Sequence, residues 1–116
     1  MALQTTIKSL ETVEEVNESI ADNARMVICA GRWGPMCIPV YKAMEELERQ
    51  EKYSNIAFRV IDFDTNAVQP IKEAKECKGF MGLPFTVYYR NGAIVHATSS
   101  IQTKQQLEDN IQQYIQ

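Results

Sequence analysis

The stretch that most limits the architecture is Met26-Val27-Ile28-Cys29-Ala30, five apolar residues in a row that run straight into Gly31, Gly34-Pro35 and an amphipathic pattern. An unbroken apolar run of this length, closed by turn residues, reads as a strand buried on both faces. Such a strand needs packing layers above and below it, which calls for helices on both sides of a sheet. The turn after it leads into a helix whose first N–H groups have no intrahelical partner and whose dipole favours negative charge. A cysteine on a turn of this kind can have its thiolate stabilised and become nucleophilic. Cys37 lies there.

The rest of the chain falls into short alternating patterns. Thr5-Thr6-Ile7-Lys8 is a short strand, with an edge position in view. Thr12-x-x-Glu15 fits a capping box ahead of a helix over about 12–22 that carries Val13, Val16 and Ile20 on one face. A second helix is expected over about 35–51, with Val40, Ala43, Met44 and Leu47 inward and Glu45, Glu46, Glu48, Arg49 and Glu51 on the solvated side. Tyr53-Ser54-Asn55 reads as a loop and Ile56 to Phe63 as a strand. Ala67 to Lys78 reads as a helix with Val68, Ile71 and Ala74 inward and Gly79 as its stop. Phe85 to Tyr89 and Ala93 to Thr98 flank Asn91-Gly92, a strong short hairpin signal. Thr103-x-x-Gln106 then caps a helix with Leu107, Ile111 and Ile115.

The order is β-α-β-α-β-α-β-β-α. Right-handed crossovers make the early strands parallel and the last hairpin antiparallel to them. The fold class is therefore α/β, a central mixed sheet with helices on both faces, in one domain over 1–116. The net charge of −3 gives no reason to expect nucleic acid or an anionic membrane as partner. Met1 to Leu10 carries one lysine and no apolar core of a leader. No apolar run approaches the roughly 18 residues of a spanning helix. Three scattered cysteines do not make a disulfide framework, which points to free thiols in a reducing cytoplasm.

Ala30-Gly31-Arg32-Trp33-Gly34-Pro35-Met36-Cys37 resembles the active-site segment of the thioredoxin family, A-x-W-C-G-P-C. Setting Gly34-Pro35 against the family's Gly-Pro would put Met36 at the second cysteine. The downstream face of Val40, Ala43, Met44 and Leu47 favours the other register, with Cys37 as the second cysteine and Gly34 at the first. The family's helix-kinking proline then falls on Lys42, while Pro39 sits in the helix's first turns, where proline is tolerated. Asp62-Phe63-Asp64-Thr65-Asn66 resembles the family's D-x-N strand end, and Gly82-Leu83-Pro84 its cis-proline loop. Ala67 to Lys78 is longer than the family's third helix by about one turn, on a repeat of ~3.6 residues.

The resemblance implies thiol–disulfide exchange, but Gly34 supplies no nucleophile. Cys37 is the candidate catalytic residue, in a restricted monothiol form, and classical turnover with a thioredoxin reductase is not expected. Burial would raise the Cys37 thiol's pKa and slow it. The competing reading is a redox-inactive module that keeps the family's peptide groove, carried over as Trp33, Gly34, Pro35, Met36, Leu83 and Pro84, with the Ser99-Ser100 loop beside it and Phe85 following the proline. The partner is a protein thiol or disulfide, or a peptide, with a disulfide reductase as candidate reductant. Neither a cofactor nor a metal is called for; the one histidine, His96, is far from the cysteines in sequence. Asp62 and Asp64 read as a solvated strand end. The family's buried aspartate, six residues before its first cysteine, falls on Ile28. Cys29, its neighbour on the strand, is then expected to face away from Cys37, leaving three free thiols and no Cys29–Cys37 bridge. Cys29 and Cys77 read as small buried hydrophobes.

Overall fold

The computed structural model describes residues 5–116, so the first four residues of the Met1–Leu10 stretch lie outside the described residues. Five strands and four helices follow one another as β1 (Lys8–Ser9), α1 (Val13–Asp22), β2 (Arg25–Gly31), α2 (Ile38–Glu48), β3 (Ala57–Asp62), α3 (Gln69–Lys72), β4 (Phe85–Arg90), β5 (Ala93–Ser99) and α4 (Lys104–Tyr114). The strands lie in the order β1-β3-β2-β4-β5. β1 and β2 run parallel to β3, while β4 is antiparallel to β2 and β5 to β4. The parallel early strands and the antiparallel C-terminal hairpin are those the element order requires.

β2 is the centre of the sheet, and Met26 to Ala30 are fully buried. Its side chains alternate between two apolar layers. Val27 and Cys29 join α2 and α4 on one face, with Met44, Leu47, Leu107 and Ile111. Met26, Ile28 and Ala30 join α1 and α3 on the other, with Val16, Val68 and Ile71. Each fully buried aliphatic side chain of this kind stabilises by about 1.5–3 kcal/mol.

Several boundaries differ from the sequence pattern. The first strand pairs only at Lys8 and Ser9, because the hydroxyl of Thr5 and the N–H of Thr6 are taken by the Glu45 carboxylate instead of a strand partner. α2 begins at Ile38: Gly34–Cys37 forms a turn in which the Cys37 N–H donates to the Gly34 carbonyl at 3.0 Å. Its C-terminal end also stops early, since Gln50 is extended, and Glu51–Tyr53 then makes a separate 3-10 turn in place of a loop. Tyr53 is buried there, its hydroxyl donating to Glu108 at 2.8 Å.

The largest correction is the third helix. Ala67 to Lys78 is not one long helix but a 3-10 turn at Asn66–Val68, the four-residue α3, and a second 3-10 turn at Lys75–Cys77. Pro70 is the reason at the front, since its ring would clash with the Asn66 carbonyl in a continuous α-helix, whereas a 3-10 turn avoids that bond. At the back, Ala74 is extended (ψ 136°). Gly79 has φ +88°, which suits a chain reversal there.

The local signals elsewhere act as their chemistry predicts. Asn91 and Gly92 have φ of 53° and 84°, the paired positive values of a tight hairpin turn. At α1 the Thr12 hydroxyl accepts from Glu15 N–H, but the Glu15 carboxylate accepts from the Glu11 N–H, one residue before the cap. At α4 both halves of the capping box form: Gln106 N–H donates to the Thr103 hydroxyl at 3.1 Å, and Thr103 N–H donates to the Gln106 side chain at 2.8 Å. Thr103→Ala is expected to lower stability by about 1 kcal/mol with the fold intact, read as a lower urea midpoint at unchanged m-value; an unchanged midpoint would mean the cap carries no weight.

Candidate functional site

The site forms where β2 ends. Gly31 is the last residue of β2, and its lack of a side chain makes the site possible. A Cβ placed on it would lie 2.7 Å from Cys37 Sγ, 2.7 Å from the Tyr41 hydroxyl oxygen and 3.1 Å from Pro84 Cβ. Cys37, Tyr41 and Pro84 therefore converge on one bare stretch of backbone. The Leu83–Pro84 peptide is cis. Tyr41 lies one helical turn after Cys37, and the i, i+4 spacing puts both on one face.

Cys37 is only 3% exposed. Its sulfur accepts from Arg32 N–H at 3.4 Å, and the Tyr41 hydroxyl, which also interacts with the sulfur, donates to the Arg32 carbonyl at 3.1 Å. The backbone of Arg32 thus serves both side chains. Trp33 stacks flat on Tyr41, with ring centroids 6.3 Å apart and planes within 5°. The Arg32 guanidinium turns outward to pair with Asp64 at 2.9 Å. That pair holds the exposed Asp64 carboxyl below its usual range and ties the end of β3 to the turn. Asp62 accepts the Asp64 N–H at 2.9 Å. The carboxylates read as a plain solvated strand end thus have definite partners.

The groove residues named from the sequence differ in exposure. Trp33 and Met36 are exposed at 39% and 47%, Pro35 is exposed, Gly34 and Leu83 are half-buried, and Pro84 is buried. Of the expected Ser99-Ser100 loop, Ser99 ends β5 opposite Phe85, and the Ser100 N–H donates to the Gly82 carbonyl at 3.1 Å. Met81, unremarked in the sequence pattern, is the most exposed large apolar side chain among the described residues, at 95%. Nothing lies within 4 Å of a Cβ placed on Gly34. His96 is remote: it sits on β5, stacked on Tyr114 at 4.3 Å.

The facing of β2 overturns one expectation. Cys29, not Ile28, shares the layer of Cys37. Cys29, Cys37, Val40 and Tyr41 belong to one cluster, while Ile28 packs with Leu10 and Val16 on the far side of the sheet. Strand alternation puts Val27, Cys29 and Gly31 on the side of α2, and Cys37 enters α2 from that side. Counting back from Gly34 therefore selects a residue on the wrong face. Tyr41 and Gly31 are the residues the sequence pattern leaves out. Their signals are there to find: Tyr41 is four residues from Cys37, and Gly31 is two from Cys29.

Four proton-bearing groups share this dry layer, the thiols of Cys29 and Cys37, the Tyr41 phenol and the Thr86 hydroxyl. Burial pushes the Cys29 thiol pKa strongly up, and the neighbouring Cys37 sulfur adds to it. Burial likewise raises the Tyr41 phenol, followed by the proximity of Cys29 and Cys37. Thr86 pairs with Cys29 across the β2–β4 ladder and is fully buried. Its hydroxyl makes no hydrogen bond of ordinary geometry, and its weak contact with the Cys29 sulfur favours the thiolate against the larger effect of burial. Cys77 is buried below α3, away from this cluster, with its thiol pushed up to about 11 by burial. All three cysteines are free. Among the described residues no group of three side chains is placed to hold a metal ion, and no helix is long and apolar enough to cross a membrane.

Solved structures similar to this one are thioredoxins. A thioredoxin variant from Halobacterium salinarum matches with a TM-score of 0.76 at 22% identity, over 100% of this chain and 96% of that one. Plasmodium falciparum thioredoxin matches at 0.74 and 20% identity, over 93% and 99%. Oxidised mitochondrial thioredoxin 3 from Saccharomyces cerevisiae matches at 0.74 and 22%, over 93% and 95%. No family model and no curated protein matches the chain. The chain has the thioredoxin fold, over essentially its whole length.

Two outcomes follow from the packing. Gly31→Ala forces a methyl group against Cys37, Tyr41 and Pro84 and is expected to cost about 1–3 kcal/mol, read by urea unfolding; a neutral result would show that the turn yields freely. Stability is also expected to fall in alkali. Cys29, Tyr41, Cys77 and Tyr88 have raised native pKa values, so the native state keeps protons that the unfolded chain releases. The stabilisation is complete below the unfolded values, ~8.5 for a thiol and ~10 for a phenol, and is lost as pH rises through the native ones. Melting temperatures at pH 7 and pH 10 check this; an equal or higher value at pH 10 would contradict it.

Proposed function

We propose that this thioredoxin-fold chain is a thiol–disulfide protein of cell redox homeostasis, working in a reducing cytoplasm through the single sulfur of its active-site turn, Cys37. The observation that carries the reading is the setting of the Cys37 sulfur. It accepts a backbone N–H from Arg32, lies against the Tyr41 hydroxyl and shares with Pro84 the approach to Gly31, on a turn whose Trp33 and Met36 are exposed. The sulfur thus has one backbone donor and a polar neighbour at the active-site turn, and a thiol there is the group that thiol–disulfide exchange needs. A protein thiol or disulfide presented on an extended peptide would lie along Trp33, Gly34, Pro35, Met36, Leu83 and Pro84. Exposed aromatic and Met side chains suit such a partner. With Gly34 at the nucleophile position, a disulfide reductase of the usual kind finds no first cysteine to attack.

The burial of Cys37 at 3% favours a second reading, a redox-inactive module that binds peptide in the same groove. Exchange with a small aromatic disulfide separates the two. On the first reading the folded native chain releases the aromatic thiolate, and Cys37→Ser abolishes the release. Equal release from both proteins would favour the binding module.

Gly34→Cys tests the placement of the turn. The new side chain enters open space at the front of the Gly34–Cys37 turn, three residues from Cys37. On mild oxidation the introduced thiol is expected to form a disulfide with Cys37, and the variant to gain insulin-reducing activity over the native chain. Absence of that bond would remove Gly34 from the nucleophile position.

A further inference from the structure

We propose that Cys29 is the resolving thiol for Cys37, so that the chain carries a two-electron thiol pair between β2 and the active-site turn instead of within the turn. This rests on the reading of Cys37 as the reactive sulfur and adds the second sulfur that the turn lacks.

Three observations carry it. First, the two residues face the same layer, and both belong to the cluster under α2. The Cys37 sulfur lies 2.7 Å from the point where a Cβ on Gly31 would be. Cys29 is the next residue along that same strand face, about 6.6 Å away at ~3.3 Å per residue. A displacement of the Cys37 side chain by about one residue along the strand, ~3.3 Å, brings it toward bonding range. Second, Cys37 stands at the junction of the Gly34–Cys37 turn and α2, its backbone held by the Gly34 carbonyl and the Val40 and Tyr41 N–H groups, so the approach to Cys29 falls to its side chain and the turn that carries it. Third, the Thr86 hydroxyl, fully buried and without a hydrogen bond of ordinary geometry, is paired with Cys29 across the ladder. It is a polar group placed to support charge on a sulfur otherwise packed among apolar side chains. Tyr41 lies close enough to both sulfurs to feel each of them.

The chemistry balances with a protein disulfide as oxidant. The Cys37 thiolate attacks one sulfur of the partner disulfide. A Cys37–partner bond forms, the partner's S–S bond breaks, and its other sulfur leaves as a thiolate that takes up a proton. Cys29 then attacks the Cys37 sulfur. The Cys29–Cys37 bond forms, the bond to the partner breaks, and the second partner sulfur leaves with the proton that Cys29 gives up. The two cysteines are oxidised to a disulfide, and the partner disulfide is reduced to two thiols. Full burial keeps Cys29 from meeting an outside disulfide directly, so the sulfur it can reach is that of Cys37.

The test uses the full chain with 5,5′-dithiobis(2-nitrobenzoate), following released thionitrobenzoate and mapping the modified peptides by mass spectrometry. The native chain is expected to release two equivalents and to end with a Cys29–Cys37 disulfide and no adduct. Cys29→Ala, with Cys29→Ser as the second variant should the first not fold, is expected to release half as much and to keep a stable adduct on Cys37. A lasting adduct on Cys37 of the native chain, or a bridge that includes Cys77, would overturn the role of Cys29 and leave Cys37 as a monothiol. No exchange at Cys37 at all would overturn the reading of Cys37 as reactive, and the resolving role with it.

Discussion

The double burial of β2 is the constraint on which the rest depends. A strand with Met26 to Ala30 all out of water has no solvated face, so its neighbours β3 and β4 must satisfy its backbone and two helix layers must cover its side chains. Those layers are what the flanking segments supply, α1 and α3 on one side and α2 and α4 on the other. The site is a by-product of the same demand. Where β2 ends, the chain has to turn back across the sheet and lay α2 over it, and it does so over a residue with no side chain.

That crossing decides the chemistry. Because α2 comes down on the odd-numbered face of β2, the turn delivers Cys37 and Tyr41 into the layer that already holds Cys29. Gly31 is the point of closest approach, and the sulfur and the phenol oxygen both occupy the space its missing Cβ would take. The result is a dry layer with two thiols, a phenol and the unpartnered hydroxyl of Thr86. Low dielectric holds protons on Cys29 and Tyr41, and the Cys37 sulfur receives the backbone N–H of Arg32. Exposed apolar groups then cluster around this recessed sulfur: Trp33 stacked on Tyr41, and Met36 on the turn itself.

Exposed charges play a smaller part. The Arg32–Asp64 pair joins the turn to the end of β3, but both side chains are mostly in water, where such pairs contribute little, about 0–1 kcal/mol. Its value is geometric: with the guanidinium turned outward, the Arg32 backbone is left to serve Cys37 and Tyr41.

Most of the architecture was legible in the sequence because its signals are local. Alternation and 3.6-residue spacing marked the strands and helices, Asn91-Gly92 marked the hairpin through its positive φ angles, and Thr103 with Gln106 marked the start of α4 through hydrogen bonds that span three residues. Trp33, Met36, Leu83 and Pro84 are named as groove residues only through the resemblance of their segments to a known family, not from any local pattern. Two things could not be read this way. The break in the third helical segment has a local cause at Pro70, but the extended Ala74 behind it leaves no mark in a sequence whose helical period survives although the helix does not. The face of β2 that meets Cys37 depends on where α2 lands after the turn. A strand that is apolar on both sides carries no mark of its own parity, so Ile28 and Cys29 are equivalent in the sequence. Only the packing of α2 against Val27, Cys29 and Gly31 tells them apart, because that choice is made by contacts between segments and not within one.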